Sequence, residues 1–268
     1  MPKIDVNGLD VYYEWDHGSS ANRTTDPVIV LSNSLSSNLS MWDRQVAPLT
    51  DQGFRVLRYD SRGHGQTGAP DTPYSIEMLS RDVIGLLDAL SLESVHFCGL
   101  SMGGMVGQFL AAQFPQRLKS VTLCATAAFL NAPGIWDERR ELVEARGMAA
   151  VVDATLERWF TPAAAQSIPK ELEAVRAGIL LTPSQGFANS CIAIRDMDQR
   201  QSNKSITLPT LVIAGEKDPS TTVAAATEIA EAISGAKLEV IADAQHLLNI
   251  EKAEQFNEIL LEFLHSQR

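Results

Sequence analysis

Eight short segments of the chain have the apolar or alternating pattern that is typical of β-strands. They are residues 4–6, 11–14, 28–31, 55–59, 95–98, 121–124, 210–214 and 238–241. Residues 28–31 read Val-Ile-Val-Leu, an unbroken apolar run that is typical of a strand covered on both faces. The first two segments are joined through Asn7-Gly8, a pair that favours a tight turn, so they predict an opening hairpin.

Most of these segments are separated by stretches in which the apolar residues have helical spacing. In residues 76–90 the apolar positions recur every three or four residues: Ile76, Leu79, Val83, Leu86, Leu87 and Leu90. Further helices are predicted over residues 105–114, 222–233 and 250–264. Strands that alternate with helices predict an α/β fold, in which a mostly parallel eight-stranded sheet carries helices on both faces.

The region from about residue 133 to 203 breaks this alternation. Its apolar residues have helical spacing with proline breaks, and it has almost no strand pattern. We therefore divide the chain into an α/β core, residues 1–126 and 204–268, and an inserted helical cap, residues 127–203. The cap is predicted to lie over the carboxyl ends of the strands, where parallel sheets bind ligands.

The charge of the chain limits its partners. Of the 268 residues, 22 are Lys or Arg and 33 are Asp or Glu, which gives a net charge of −11 at pH 7. An acidic protein repels nucleic acids and anionic membranes, so neither is expected as a partner. A small anionic substrate remains compatible with this charge, because local arginines can reverse the field within one cavity.

The cysteines and the hydropathy of the chain indicate the cellular compartment in which it is expected. Cys98, Cys124 and Cys191 are widely spaced, without a CxxC pair, and lie in or near apolar runs. They are expected to be buried free thiols rather than disulfides or metal ligands. No apolar run approaches the roughly 18 residues that span a bilayer, and the N-terminus has no signal-peptide pattern. We expect a soluble cytoplasmic protein with no membrane partner and no metal.

Residues 99–103, Gly-Leu-Ser-Met-Gly, fit the pattern G-x-S-x-G. They stand between the predicted strand 95–98 and the predicted helix 105–114, which is the context of a nucleophile elbow. Side chains two positions either side of the serine would collide in so tight a turn, so glycine is needed there. Ser101 is therefore the candidate nucleophile; the alternative is a glycine-rich turn that carries a serine by chance.

A serine hydroxyl needs a base, and the base needs an orienting acid. In this architecture the chain order is serine, acid, histidine, which points to His246 in the loop before the last helix. The acid should follow the strand 210–214, where Asp218 is preferred and Glu216 is the alternative. Asp243 is closer to the histidine in sequence, but it is interpreted as a turn former.

Two backbone N–H groups should stabilise the oxyanion. One is predicted to be that of Met102, directly after the serine, and the other that of Leu35, in the polar loop after strand 28–31. The side chains of Asn33 and Ser34 are expected to hold this loop by hydrogen bonds. A plain polar turn is the alternative interpretation of the loop.

Along nearly its whole length the chain resembles the α/β-hydrolase superfamily, and within it most of all the bacterial 3-oxoadipate enol-lactonases. The resemblance is carried by Leu-Ser-Asn-Ser-Leu at 31–35, Met41-Trp42, Leu-Arg-Tyr-Asp at 57–60, Arg-Gly-His-Gly at 62–65, Phe-Cys-Gly-Leu-Ser-Met-Gly-Gly at 97–104, Arg-Trp-Phe-Thr at 158–161 and the Trp136…Arg139 pair. Ser36 departs from the glycine expected there, and Thr222-Val223 departs from Thr-Pro. His64 lies in a motif common to capped hydrolases and is interpreted as structural.

The resemblance implies hydrolysis of 3-oxoadipate enol-lactone to 3-oxoadipate, a step of the β-ketoadipate pathway of aromatic breakdown, without a cofactor. This substrate is a five-membered unsaturated lactone with an acetate arm, so its carboxylate needs a cation. Trp136, Arg139 and Trp159 are the candidate substrate-binding residues, because Arg139 lies one helical turn from Trp136. Arg140 and Arg195 are the other candidate cations, and Arg139 as an ordinary solvated residue is the alternative.

Other functions are compatible with the same motifs. A general carboxylesterase, a perhydrolase-like enzyme or a C–C bond hydrolase would use the same triad. A hydrolase-fold ligand receptor would be a different class, and it predicts a broken triad or a missing oxyanion loop. The sequence leaves the oligomeric state open.

Overall fold

A computed structural model describes residues 2–17 and 26–267. Within these residues one sheet is formed by β1 (Lys3–Val6), β2 (Leu9–Asp16), β3 (Val28–Ser32), β4 (Arg55–Tyr59), β5 (Val95–Leu100), β6 (Leu118–Cys124), β7 (Thr210–Gly215) and β8 (Lys237–Ile241). The strands lie in the order β1-β2-β4-β3-β5-β6-β7-β8. Strand β2 is antiparallel to β1 and β4, and the other neighbours are parallel. The predicted mostly parallel eight-stranded sheet is confirmed.

The central strands are buried on both faces, which explains their continuous apolar sequences. Every residue of β3, β5 and β7 is buried. In the register of the sheet, Ser32 at the end of β3 pairs with Gly99, and Leu100 at the end of β5 pairs with Cys124. The loops that leave these strands therefore emerge together at one edge of the sheet.

Helices cover both faces of the sheet. In chain order they are α1 (Asp43–Asp51), α2 (Ile76–Ala89), α3 (Met102–Gln113), α4 (Pro133–Arg146), α5 (Val152–Trp159), α6 (Pro162–Ser167), α7 (Pro169–Leu181), α8 (Ser184–Asp196), α9 (Val223–Ala232), α10 (Leu248–Glu251) and α11 (Ala253–His265). Helix α3 packs on β5, β6 and α2, whereas α1 and α11 pack against each other. The last predicted helix is divided into α10 and α11.

Five helices, α4 to α8, lie between β6 and β7. Helix α4 packs against α8, and α5 packs against α7. All five fall within the predicted cap, residues 127–203, although the division into two domains stays a prediction. The insertion leaves the sheet after β6, next to the strand that carries the predicted nucleophile.

The described residues show three further features. None of their helices is both long and apolar enough to span a bilayer. Cys98, Cys124 and Cys191 are buried free thiols, as predicted. In the same ranges, no three His, Cys, Asp or Glu side chains are grouped so that they could hold a metal ion. The three thiols therefore behave as core side chains.

Candidate active site

Ser101 lies in the tight turn between β5 and α3. Its backbone has a φ of 55° and a ψ of −112°, a conformation that residues other than glycine adopt at a cost. A Cβ on Gly99 would lie 2.1 Å from the carbonyl oxygen of Gly103, and one on Gly103 would lie 2.4 Å from that of Ser32. Both glycines of the motif are thus required by close backbone approach, as an elbow demands.

Backbone hydrogen bonds hold the strained turn. The Ser101 N–H donates to the carbonyl of Cys124 at 2.8 Å. The Ser101 carbonyl accepts from the Thr126 hydroxyl at 2.8 Å and from the Met105 N–H at 2.9 Å. The side chain of Ser101 thereby stands at the N-terminus of α3, where the helix dipole favours developing negative charge.

His246 and Asp218 form a buried pair at the ends of the loops after β8 and β7. Their Nδ1 and Oδ2 atoms are 2.7 Å apart, and the His246 side chain is 4% exposed. Among the described residues, both hydrogen-bond contacts of the His246 ring involve Nδ1, with Asp218 and with Thr221 at 3.3 Å. Nε2 is therefore left for a group in the cavity.

The carboxylate of Asp218 is held in its ionised form. Burial alone would raise its pKa, but the charge of His246, with hydrogen bonds from His246, Thr221 and Ser220, brings the pKa below its ordinary value. The Thr221 hydroxyl donates to Oδ2 at 2.7 Å, and the Ser220 N–H donates to Oδ1 at 2.7 Å. These donors fix the orientation of the acid as well as its charge.

The two alternative acids lie elsewhere. Glu216 accepts a hydrogen bond from the Asp243 N–H at 3.0 Å. Asp243 has a φ of 52° and forms an exposed ion pair with Lys217, in keeping with a turn former. The structure brings Asp218, and neither of these residues, to His246.

The two predicted oxyanion donors lie in the loop after β3 and at the first residue of α3. Within the described ranges, the N–H groups of Leu35 and Met102 donate to no protein acceptor. Leu35 lines the same cavity as Ser101. Ser36, where the family pattern has glycine, adopts a φ of 63°, a left-handed conformation in which glycine is unstrained.

His64 supports this loop from below. Its Nε2 accepts from the Ser36 N–H at 3.1 Å, and its Nδ1 donates to the Arg62 carbonyl at 3.0 Å. Complete burial lowers the pKa of His64 to about 4, so the ring is neutral at pH 7. This role is structural, as the motif suggested.

One expectation for the loop is wrong. Asn33 does hold it, since its side-chain N–H donates to the Ser37 carbonyl at 3.0 Å and its oxygen accepts from the Ser61 N–H at 3.0 Å. The Ser34 hydroxyl is buried without a hydrogen-bond partner in the described part of the chain. The backbone of Ser34 bonds instead, since its carbonyl accepts from the Asn33 amide and its N–H donates to Met41 Sδ. Ser34 as a residue lines the cavity.

A cavity of about 310 Å³ lies between the core and the inserted helices. The core contributes Ser101, His246 and Leu35 to its lining. The inserted helices contribute Trp136, Arg139, Arg158 and Trp159. The structure therefore brings all three predicted substrate-binding residues to the predicted nucleophile.

The cavity arginines have no acidic partner. The Arg139 guanidinium lies 4.8 Å from the centre of the Trp136 ring, and Arg158 donates to the Thr155 hydroxyl at 3.2 Å. Neither forms an ion pair with any described residue. Burial lowers the pKa of Arg139. Burial and then the charge of Arg139 lower that of Arg158 to about 10.

The other two candidate cations are paired outside the cavity. Arg195 bonds to Asp137 and Asp196, both at 2.7 Å. Arg140 lies 4.0 Å from Asp137 and does not line the cavity. Of the three arginines proposed for the carboxylate, only Arg139 faces the site.

Helix α5 is anchored to the loop that carries His246. The Trp159 ring stacks on the His246 ring, with centroids 6.1 Å apart and planes 30° apart. The Leu247 N–H donates to the Trp159 carbonyl at 3.1 Å, and the Gln245 amide donates to the Arg158 carbonyl at 3.1 Å. The end of α5 is thereby fixed relative to the histidine.

Comparison with known proteins agrees with this architecture. The family model of the alpha/beta hydrolase fold matches residues 27–253. The chain belongs to the α/β-hydrolase family. The resemblance noted in the sequence is confirmed.

The relatives of this hydrolase include enol-lactonases. It is 40% identical over 255 residues, 95% of the chain and 94% of the relative, to 3-oxoadipate enol-lactonase 2 of Acinetobacter baylyi. It is also 40% identical to 3-oxoadipate enol-lactonase 1 of that organism, over 90% of the chain and 89% of the relative. The crystal structure of the enol-lactonase from Burkholderia xenovorans superposes with a TM-score of 0.94 at 44% identity, covering 98% of this chain and 100% of the other.

Sequence reasoning missed two residues of this hydrolase's site, Arg158 and Thr221. Arg158 belongs to the Arg-Trp-Phe-Thr motif at 158–161 that carries the family resemblance, but in that motif substrate binding is predicted only for its neighbour Trp159. Thr221 gave a weak signal, since a hydroxyl three residues after Asp218 is well placed to bond back to it. Together these residues add a cation and a carboxylate donor to the predicted site.

Proposed function

We propose that this hydrolase opens 3-oxoadipate enol-lactone to 3-oxoadipate in the cytoplasm, as a step of the β-ketoadipate pathway. One observation carries the proposal: a single cavity is lined by Ser101, by an unpaired Arg139 and by His246, whose ring is bonded to the buried Asp218 behind it. A nucleophile and a carboxylate-binding cation in one enclosed space suit a small acidic lactone. The 40% identity to 3-oxoadipate enol-lactonases supports the same substrate.

In the first step Ser101 Oγ attacks the carbonyl carbon of the lactone while His246 Nε2 takes its proton. Asp218 holds the Nδ1 proton of the imidazole at 2.7 Å and stabilises the imidazolium that forms. The lactone carbonyl oxygen becomes an oxyanion, which accepts hydrogen bonds from the N–H groups of Leu35 and Met102.

Collapse of this intermediate breaks the bond between the acyl carbon and the ring oxygen. The ring oxygen leaves with the proton from His246 as an enol, which becomes a ketone by proton transfer to carbon. A water molecule, deprotonated by His246, then hydrolyses the acyl-Ser101 ester and releases the second carboxylate. The overall reaction consumes one lactone and one water.

The inserted helices select the substrate in this proposal. Trp136 and Trp159 provide flat apolar walls for the ring. A carboxylate that enters a covered cavity loses its hydration, which is costly unless a cation meets it. Arg139 supplies that cation for the acetate arm through paired N–H donors.

Steady-state assays against a small panel test the function. The panel contains 3-oxoadipate enol-lactone, an unsubstituted five-membered lactone, p-nitrophenyl acetate and a vinylogous diketone. The acidic lactone should have the highest kcat/KM, with 3-oxoadipate as product. Faster turnover of the neutral ester would indicate a general carboxylesterase, and faster cleavage of the diketone a C–C bond hydrolase.

A covalent probe separates an enzyme from a receptor. A fluorophosphonate should label wild-type protein at Ser101 and leave Ser101→Ala unlabelled. A wild-type protein that is not labelled would contradict an activated serine and favour a non-catalytic binder.

A further inference from the structure

The charges that line the cavity are all of one sign. Among its lining residues, Arg139 and Arg158 carry permanent charges, and no Asp or Glu belongs to the lining that the structure describes. The chain as a whole has a net charge of −11. The cavity is therefore a local positive site within an acidic protein.

Elsewhere this protein neutralises its buried guanidinium groups. The Arg58 side chain is 6% exposed and is paired with Asp43 at 2.5 Å, Asp16 at 2.8 Å and Glu14 at 3.1 Å. Arg62 is paired with Asp82 at 2.7 Å. Because burying an unpaired charge is costly, these pairs are what stability alone favours.

The two cavity arginines depart from this pattern together. Both are partly buried and neither has a carboxylate partner in the described residues. Arg139 and Arg158 line the same cavity of about 310 Å³, where the charge of Arg139 contributes to lowering the pKa of Arg158. One anion placed between them would give both guanidinium groups a partner and would offset their mutual repulsion.

The backbone of Arg158 is fixed with respect to the reaction centre. Its carbonyl accepts from Gln245, the residue before His246, and the next residue, Trp159, stacks on the His246 ring. One nitrogen of its guanidinium is held by Thr155. Arg158 is thus a positioned cation rather than a mobile surface side chain.

We propose that Arg139 and Arg158 bind one substrate carboxylate between them, which makes Arg158 a second specificity-determining residue of the site. The inference rests on the proposed function for the identity of the substrate. It assigns to the cavity a preference for lactones and esters that carry a carboxylate away from the reacting carbonyl.

Kinetic selectivity provides the first test. Arg158→Ala should reduce the ratio of kcat/KM for 3-oxoadipate enol-lactone to kcat/KM for p-nitrophenyl acetate by about 10- to 100-fold, as expected for losing one partner of a buried charge contact. Arg176→Ala is the matched control, since it removes one positive charge from α7, where Arg176 pairs with Asp153. The control should leave the ratio unchanged; equal loss on both substrates in Arg158→Ala would overturn the proposal.

A double-mutant cycle tests whether the two arginines share one carboxylate. When both contact the same group, removing the first already loosens it, so the loss in Arg139→Ala/Arg158→Ala should be well below the product of the single losses. Losses that multiply would show separate binding sites and would overturn the shared contact.

Ligand binding supplies a readout independent of turnover. Adipate, a six-carbon dicarboxylate, should raise the Tm of the wild type and inhibit p-nitrophenyl acetate hydrolysis competitively, whereas neutral adipamide should do neither. Both effects of adipate should weaken in Arg158→Ala and persist in Arg176→Ala. Without ligand, the Tm of Arg158→Ala should equal or exceed that of the wild type, because an unpaired cation has been removed. A lower Tm with unchanged adipate binding would make Arg158 a structural residue.

The two proposals fail in different ways. If the enol-lactone is not a substrate but adipate binding depends on Arg158, the assigned substrate is wrong and the paired-cation site stands. If the enol-lactone is hydrolysed equally well by Arg158→Ala, the function stands and the paired-cation site is wrong.

Discussion

The core and the inserted helices contribute opposite kinds of surface to one cavity. On the core side, Asp218 and His246 are buried and joined at 2.7 Å, with further bonds from Thr221 and Ser220. On the other side, Arg139 and Arg158 have no acidic partner among the described residues. In the proposed mechanism, the groups that carry out the chemistry are preorganised by the protein, whereas the groups that select the ligand stay unpaired until it binds.

The largest expected effect comes from the nucleophile on the core side. Ser101→Ala should lower kcat by about 10⁴- to 10⁶-fold, the range for removing one member of a serine triad. Far-UV circular dichroism should remain unchanged, because the Ser101 hydroxyl bonds to none of the described residues. A variant that keeps its activity within about tenfold of the wild type would show that Ser101 is not the nucleophile.

The orienting acid should have the next largest effect. Asp218→Asn should lower kcat by about 10⁴-fold, since an amide stabilises the wrong tautomer of His246. Glu216→Gln is the matched control: it removes an acidic group that lies two residues away and contacts Asp243 instead. A greater loss in Glu216→Gln would exchange the two roles.

Lowering the pH should reduce the unfolding free energy through His64, which supports the loop of Leu35. His64 has a pKa of about 4 in the folded protein against 6.5 when unperturbed. As pH falls from 6.5 to 4, the unfolded chain takes up a proton that folded His64 does not, so about 3 kcal/mol of unfolding free energy is lost.

Urea denaturation at several pH values measures this loss. His64→Gln keeps a donor and an acceptor but does not titrate, so its unfolding free energy should depend less on pH over that range. An equal pH dependence in the wild type and the variant would assign the acid sensitivity to other groups.

On the side of the inserted helices, Arg139→Ala should lower kcat/KM for the acidic lactone by roughly 100-fold, within a range of about 10- to 1,000-fold. The kcat/KM for a neutral ester should fall much less. Steady-state kinetics on both substrates measures the difference. Equal losses would indicate that Arg139 packs against Trp136 and does not bind the carboxylate. No loss on either substrate would restrict the cation role to Arg158.

The two sides also differ in how far the sequence predicts them. The elbow depends on glycines next to Ser101, and the chain order of the fold directs the search to Asp218 and His246, so local pattern and topology are sufficient. The side formed by the inserted helices depends on which arginines lack a partner. Arg195 is paired with Asp137, 58 residues away, and sequence spacing does not reveal such a contact.

Two smaller outcomes have the same explanation. Sequence reasoning missed Arg158 because two features mark it, the lack of an ion pair and the contact with the loop of His246, and both are visible only in the structure. The sequence predicts that the Ser34 side chain bonds within its loop, but the backbone of Ser34 makes those bonds, and in the described residues the hydroxyl is buried without a partner. Both depend on the three-dimensional arrangement of the chain rather than on sequence spacing.

The attachment of α5 to the His246 loop sets a fixed span across the cavity. Gln245 and Leu247 donate to the carbonyls of Arg158 and Trp159, so the backbone of the arginine is tied to the loop of His246. A substrate held by its carboxylate at one end and by Ser101 at the other must match this length. If Arg158 binds the carboxylate as proposed, the attachment limits the length of the substrate: an acid arm one methylene longer would move the reacting carbonyl away from Ser101.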